Sequence, residues 1–315
     1  MDEPDVEVVA EVGPTLVADV TRLQDDVRRT RDVTGLSEAR WRALERAAAG
    51  PAGLLAVTAR ASGGGPLVGY AQIDDEGDRA ASSGEIVVLP DGERGTALAD
   101  RLLDTALGAF RDAGGGHLRL WVTDAGPSDD ARADARGFTV ERELLQLRCR
   151  LPLSPPPDGE QRVATRAFRP GVDEPAWLQV NNRAFAGHPE QGHWDREVLL
   201  ERESEPWFRP DGFRVAEVDG RLAGSCWTKV HDDTRPPLGE IYVISVDPDL
   251  HGLGLGRALT RAGLEWLASV GVTTGMLYVD GANTAAVTLY RSMGFTTDHV
   301  DRSYVAVVTP DDSGT

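Results

Sequence analysis

The run Glu240-Ile-Tyr-Val-Ile-Ser-Val246 places a carboxylate at the head of a stretch rich in β-branched and aromatic residues. That composition predicts a buried strand. Asp247-Pro248 ends it, because proline lacks an N–H and restricts the residue before it. Gly252, Gly254 and Gly256 then stand at alternate positions, and Leu255, Leu259, Ala262, Trp266 and Val270 recur at the three-to-four spacing of a helix. Strand, glycine turn and helix together aim backbone N–H groups at one point. The chemistry this suits is the binding of a diphosphate, since glycines allow close approach and a helix N-terminus carries partial positive charge. Three alternate glycines alone are weak evidence, and a Gly-rich loop without a ligand explains them equally well. No Gly-Lys-Ser/Thr follows, so a Walker A loop is excluded. The spacing is not G-x-G-x-x-G, and no acidic residue suited to a ribose follows the helix, which argues against a dinucleotide fold.

His251-Gly-Leu-Gly-Leu-Gly256 after a strand resembles the acyl-CoA loop Q/R-x-x-G-x-G/A of the GCN5-related N-acetyltransferases, the GNAT family. Gly254 and Gly256 match, and His251 departs from the usual Gln or Arg. Downstream, Asn283-Thr-Ala-Ala-Val-Thr-Leu-Tyr290-Arg-Ser-Met-Gly294-Phe295 resembles that family's N-x-x-A-x-x-x-Y-x-x-x-G-F segment. The resemblance implies acetyl-CoA as co-substrate and an α/β fold built on a mixed sheet. Acyl transfer to an amine needs a neutral amine, a stabilised oxyanion and a proton for the leaving thiolate. Glu240 is the candidate base, directly or through water; the plain alternative is a solvated glutamate at a strand end. Tyr290 is the candidate acid; without the resemblance it reads as a half-buried core tyrosine. A backbone N–H near Val246 is implied for the thioester carbonyl.

These groups need elements to hold them. Strands are expected over Glu7–Val12, Leu54–Arg60, Leu67–Ile73, Gly84–Leu89, His117–Thr123 and Phe138–Arg150, and helices over Pro14–Thr30, from Ser37 to Leu44 and over Thr96–Phe110. Ser37 reads as an N-cap. Residues 151–161, LPLSPPPDGEQ, can form neither ladder nor helix and mark a linker. The order then restarts. Strands are expected over Arg162–Phe168, Phe213–Val218, Leu222–Val230, Glu240–Val246, Met276–Val279 and Ser303–Val308, and helices over Glu174–Phe185, Leu255–Val270 and Ala285–Ser292. Gly84-Glu85-Ile86-Val87-Val88 aligns with Gly239-Glu240-Ile241-Tyr242-Val243, and Gly137-Phe138 with Gly294-Phe295. The halves therefore read as an internal repeat. Two tandem GNAT domains are expected: residues 1–150, the linker 151–161, and a catalytic copy over 162–315. The first copy reads Gly92-Glu-Arg-Gly95-Thr-Ala97 where the second has its glycines, puts Glu93 where a diphosphate would sit, and lacks a tyrosine matching Tyr290. Chemistry is expected in the second half.

A formal charge of −18 over 315 residues argues against general nucleic-acid binding. No run of 18 apolar residues predicts a membrane span. The acidic N-terminus lacks the pattern of a signal peptide. Cys149 and Cys226 suit a reducing cytoplasm better than a disulfide framework, and no Cys/His cluster has metal-ligand spacing. A cytoplasmic monomer without a metal is expected.

The stretch Val180-Asn-Asn-Arg-Ala-Phe-Ala-Gly-His-Pro-Glu-Gln-Gly-His-Trp194 is polar and aromatic, broken by Gly187 and Pro189, and reads as a loop over a site. With Trp227-Thr228-Lys229-Val230 and the tandem order, it closely resembles tandem GNAT enzymes that acetylate the cysteinyl amine of a cysteinyl-glucosaminyl-inositol. That resemblance implies substrate contacts at Glu38, Glu190, Lys229, Glu240 and Tyr278. It implies acetyl-CoA contacts at Ile244, Ser245 and Val246, at His251, Gly252, Leu253, Gly254, Leu255, Gly256 and Arg257, and at Asn283, Thr284, Ala285, Ala286, Val287 and Thr288. Ile86, Val87 and Val88 are the equivalent strand of the first copy. Without it, Lys229 reads equally as a solvated strand lysine, and Glu38 as an exposed first-turn residue favoured by the helix dipole. Two other readings stay open: acetylation of another amine, such as a protein N-terminus or an aminoglycoside, and an acyl-CoA sensor without turnover.

Overall fold

The computed structural model describes residues 3–30, 35–50, 53–75, 82–89, 92–155, 163–187, 192–232 and 234–310. Among these it contains twelve strands and eight α-helices in a mixed α/β arrangement. No helix among them is long and apolar enough to cross a membrane. The chain divides into two compact units, Met1–Leu144 with His299–Thr315, and Leu145–Asp298.

In the first unit, β1 (Asp5–Val8), β2 (Leu54–Arg60), β3 (Leu67–Asp75) and β4 (Ser82–Val88) run antiparallel in that order. β4 then pairs in parallel with β5 (Gly116–Val122). The helices α1 (Pro14–Thr30) and α2 (Glu38–Ala49) cover one face, where Val20, Leu23 and Leu44 meet Ala56, Tyr70 and Val87. The helix α3 (Gly92–Asp112) covers the other, where Leu98, Leu102 and Phe110 meet Val57, Ile73 and Leu118. The short α4 (Pro127–Asp134) buries only Ala133, so its sequence carries no apolar period to read.

The second unit repeats this order. β7 (Thr165–Ala167), β8 (Phe213–Val218), β9 (Arg221–His231) and β10 (Leu238–Val246) are antiparallel, and β10 pairs in parallel with β11 (Thr274–Asp280). One face carries α7 (Leu255–Ser269) and α8 (Thr284–Ser292) over Ile241, Leu277 and Val279. The other carries α5 (Glu174–Ala184) and α6 (Arg196–Glu203) over an aromatic core of Phe168, Trp177, Phe213 and Trp227. The expected loop over 180–194 is partly helix, since Val180 to Ala184 finish α5, and Trp194 packs into that core 5.7 Å from Trp177. No apolar period marks α6, whose one buried residue is Leu199. It is started by Asp195, whose carboxylate accepts from the Val198 N–H at 2.9 Å.

The strand that closes each unit is not the one the repeat suggests. β12 (Thr296–Val308) pairs antiparallel with β5 from Arg302↔Val122 to Val308↔Gly116, so the end of the chain completes the first unit. β6 (Thr139–Arg150) passes into the second unit at Leu145. The cause lies in what each strand buries. Tyr304 and Val308 fill the first unit's core beside Leu118 and Phe138. Leu147, Cys149 and Leu151 fill the second unit's core beside Leu264 and Leu277. The boundaries expected at 150 and 162 thus differ from the compact units, and residues 156–162 lie outside those described.

Both units share one feature that positions a site. The parallel pair parts halfway along. β4 pairs with β5 from Ser82 to Glu85 and no further, and β10 pairs with β11 from Leu238 to Glu240 and no further. The aligned Glu85 and Glu240 are the last paired residues in their strands. Beyond them, alternate backbone N–H and C=O groups of β4 and β10 face an opening rather than a neighbouring strand.

Candidate active site

Glu240 sits opposite Lys229 across the β9/β10 pair, on the same face of the sheet. His231, two residues on from Lys229, reaches the same carboxylate, with its Nε2 2.8 Å from Glu240 Oε2. The Glu240 side chain is 12% exposed. It is therefore held beside two basic groups without being cut off from solvent. The Lys229 ammonium lies over the Trp207 ring at 4.8 Å and the Tyr242 ring at 5.6 Å, an arrangement that favours a cation. A register shift in β10 between Ile241 and Val243 turns both Tyr242 and Val243 onto this aromatic face. Sequence reasoning passed over His231. Its only signal was its two-residue offset from Lys229, which means something only once the register with Glu240 is known.

Period-two alternation puts Tyr278 on the Glu240 face of β11, since Leu277 and Val279 point into the core under α7 and α8. Its hydroxyl accepts a 2.7 Å hydrogen bond from Gln146 Nε2, and Gln146 Oε1 accepts in turn from Arg148 Nε at 2.7 Å. Gln146 and Arg148 come from β6, a strand that the repeat assigns to the first half.

At the far end of β10 the glycines behave differently from one another. Gly252 and Gly254 have φ of 83° and 74°, the left-handed region that disfavours other residues. Gly254 is the N-cap of α7 and supplies no side-chain cap. The first-turn N–H groups of Leu255, Gly256 and Arg257 therefore lack intrahelical partners and point outward. A Cβ on Gly256 would meet nothing nearer than Leu289 at 3.7 Å, so the protein's own packing does not demand glycine there. An uncapped helix start, reached by a left-handed turn and next to an open strand edge, fits a diphosphate and the chain leading from it. His251 and Leu253 are exposed at this turn, Ser245 is buried on β10 with its Oγ 3.1 Å from Ser225 Oγ, and Ile244 and Val246 are half-buried toward α7.

Across the opening, Asn283 caps α8, its Oδ1 accepting from the Ala286 N–H at 3.1 Å. Thr284, Ala285 and Thr288 are exposed on that helix, whereas Val287 is buried. Tyr290 is 6% exposed and lies in the α7/α8 core, 5.7 Å from the Phe295 ring. Burial pushes its hydroxyl well above the usual tyrosine range, with the Cys226 thiol adding to the effect. Glu240 and Tyr290 thus belong to opposite faces of this sheet, and the parting of β10 from β11 is the opening through which the faces can meet.

In the first unit the residue aligned with Glu240 is employed otherwise. Glu85 is buried and accepts from the Ser37 N–H at 2.8 Å and the Ser37 Oγ at 2.5 Å. Arg40, one turn into α2, donates to Asp74 at 2.5 Å and to the Ser83 carbonyl at 3.2 Å. The start of α2 is thereby clamped onto β3 and β4. Glu38, at the first helical position between these clamps, is 41% exposed and pairs with Arg42 at 3.2 Å. Burial raises the Glu85 carboxyl from 4.5 to about 7, against the opposing Ser37 hydrogen bonds. Below about pH 4.5 the group is protonated folded or unfolded. Between 4.5 and about 7 the folded protein holds a proton that the unfolded chain has lost. Glu85 therefore makes stability fall as pH rises through that window, by about 3 kcal/mol at most. Glu85→Gln is expected to flatten that part of the curve in denaturant titrations at pH 5 and pH 8. An unchanged slope would show that Glu85 does not carry it. Ile86, Val87 and Val88 continue β4 along its open edge, and Glu93 stands in the first turn of α3. Glu190 lies outside the described residues.

Residues 175–295 match the acetyltransferase (GNAT) family. In solved structures, the chain is similar to a GCN5-related N-acetyltransferase from Sphaerobacter thermophilus, with TM-score 0.70, 21% identity and 98% of each chain covered. It is also similar to a tandem GNAT protein from the clavulanic acid biosynthesis pathway, with TM-score 0.63, 19% identity, and 98% of this chain and 100% of that one covered. These likenesses establish the fold. Sequence relatives go further. A mycothiol acetyltransferase of Thermomonospora curvata is 49% identical over 249 residues, covering 76% of this chain and 79% of that protein. One from Geodermatophilus obscurus is 42% identical over 313 residues, covering 96% and 97%. Identity at that level, sustained across both units and their exchanged strands, means that this chain belongs to the mycothiol acetyltransferase family, a tandem branch of the GNAT acetyltransferases.

Proposed function

We propose that this protein transfers the acetyl group of acetyl-CoA to the cysteinyl amine of a cysteinyl-glucosaminyl-inositol, giving mycothiol. The observation that carries the reading is Glu240. It is a half-buried carboxylate at the last residue before β10 leaves β11, with the uncapped glycine turn at the other end of the same strand. Bound acetyl-CoA supplies an activated thioester; everything else falls to this chain.

The amine must lose its ammonium proton before it can attack, and Glu240 accepts it directly or through one water. His231 orients the carboxylate, and Lys229 stands opposite it across the β9/β10 pair. Backbone N–H groups on the open side of Ile241–Val246 offer donors to the thioester carbonyl oxygen. The turn from His251 to Arg257 binds the diphosphate, and Asn283 to Thr288 line its far side. Tyr290 is the acid. Burial keeps its hydroxyl protonated, so it presents a proton to the sulfur as negative charge grows there. The resemblance assigns Glu38, Glu190, Lys229 and Tyr278 to the polyhydroxylated acceptor. Several charged and hydrogen-bonding groups suit such a molecule.

The test is release of free CoA thiol by the purified protein with acetyl-CoA and each of three acceptors: the cysteinyl-glucosaminyl-inositol, an aminoglycoside and an N-terminal peptide. Rapid release with the first alone is expected. Faster release with either other acceptor would replace the substrate, and acetyl-CoA binding without release would favour a sensor. Tyr290→Phe is expected to lower turnover by about 10- to 100-fold while the acetyl-CoA dissociation constant moves less than about threefold. If affinity alone changed, Tyr290 would not be the acid.

A further inference from the structure

We infer that Arg183 is a positioning residue for the turn that takes the co-substrate's diphosphate, and that it acts through Asp247 and Asp249. The inference rests on the acetyl-CoA reading above. Arg183 lies in the last turn of α5, on the sheet face that carries the aromatic core. The glycine turn leads into α7, on the opposite face. One side chain therefore reaches past the end of the sheet, from a helix of one layer to the loop that feeds the other. His251, Gly252, Leu253 and Gly254 are all exposed, Leu253 by 52%. Core packing does not fix them. Where the turn stands depends on the residues just before it.

Asp247 is anchored to β9, since its N–H donates to the Ala223 carbonyl at 2.9 Å. A single 3₁₀ turn, Pro248–Leu250, follows, and the Asp247 carboxylate accepts from the Asp249 N–H at 3.0 Å. Arg183 closes this turn from outside. Its Nη1 donates to Asp247 Oδ2 and its Nη2 to Asp249 Oδ2, each at 2.8 Å. Residues 247–254 make no other side-chain hydrogen bond or ion pair among the described residues. A planar fork with one nitrogen on each carboxylate fixes both their separation and their orientation, which a single ammonium does not. The Asp249 side chain is 78% exposed, so these bonds add little to folding stability. Their effect falls on binding. A turn already held where its N–H groups converge on the diphosphate spares the ligand the cost of ordering it.

The test uses the full-length protein, with Arg183→Gln and Arg183→Lys as variants and titration calorimetry with acetyl-CoA. Arg183→Gln is expected to raise the acetyl-CoA dissociation constant about 3- to 10-fold. Its melting temperature should move by less than about 3 °C, which reports that the variant folds. Arg183→Lys keeps the charge without the fork and should recover only part of the loss. In turnover, the KM for acetyl-CoA should rise by a similar factor, and kcat and the acceptor KM far less. An unchanged dissociation constant in Arg183→Gln would overturn the proposal. Full recovery in Arg183→Lys would also overturn it, because charge alone would then account for the effect. So would an acceptor KM that rises as much as the KM for acetyl-CoA, because α5 would then have loosened as a whole. If the unaltered protein does not bind acetyl-CoA, the reading beneath the proposal fails and the proposal fails with it. The binding measurements do not involve the acceptor amine. Absence of CoA release with the cysteinyl-glucosaminyl-inositol would therefore discard that acceptor, while Arg183 is judged by acetyl-CoA affinity alone.

Discussion

Glu240→Gln is expected to lower turnover by about 10²- to 10⁴-fold near neutral pH, the range for loss of a positioned general base. The deficit should be largest at low pH and shrink as pH rises. At low pH nearly all of the acceptor amine carries its proton, and the variant has no group to take it. At high pH the amine is already neutral in solution, so the base matters less. Gln keeps the shape of Glu and can still meet His231, whose Nε2 lies 2.8 Å from the carboxylate in the unaltered protein. Acetyl-CoA affinity should therefore move little, because the glycine turn at the far end of β10 is untouched. Initial rates from pH 6 to 9, with the acetyl-CoA dissociation constant measured separately, decide the matter. A variant whose profile runs parallel to the unaltered protein's would remove Glu240 from the role of base.

The second large effect concerns stability. Trp227→Ala is expected to cost about 3–5 kcal/mol in urea unfolding. Trp227 is completely buried on β9 and stacks on Phe213 with ring centres 4.4 Å apart. Trp177, Trp207, Phe208 and Tyr242 meet it edge-on or tilted between 5.5 and 5.9 Å. Alanine would leave a cavity that these rings cannot collapse into, since each is fixed by its own element. Trp227→Phe should cost far less. It keeps most of the ring and removes an indole N–H that has no hydrogen-bond partner among the described residues. The Lys229 ammonium rests on Trp207 and Tyr242, so Trp227→Ala should also raise the KM for the acceptor. A loss below about 1 kcal/mol would mean that α5 and α6 repack freely over β9.

Much of the site was legible one segment at a time. The strand from Glu240, the turn at Gly252 and Gly254 and the helix after it lie where the residue pattern predicts them. Their cause is local: positive φ at the two glycines and an uncapped helix start. The alignment of Gly84-Glu85 with Gly239-Glu240 likewise locates the residue at which each parallel pair parts. Other parts could not be read this way. α4 and α6 each bury a single residue and leave no period behind. His231 joins Glu240 only through the register of β9 on β10.

The sequence by itself thus determined the repeat, the glycine turn before α7 and the two aligned carboxylates, because each depends on residues close together in the chain. Tertiary structure decided what those carboxylates do. Glu85 is sealed under the start of α2 by Ser37, 48 positions away, while Glu240 keeps two basic neighbours and a path to solvent. It also decided which strand closes which unit. Phe138–Arg150 and Ser303–Val308 are both apolar, strand-forming stretches with no local preference between cores. What separates them is the fit of Tyr304 beside Leu118 in the first unit, and of Leu147 and Cys149 beside Leu264 in the second. Such choices follow from packing between residues more than a hundred positions apart, and no short-range pattern encodes them.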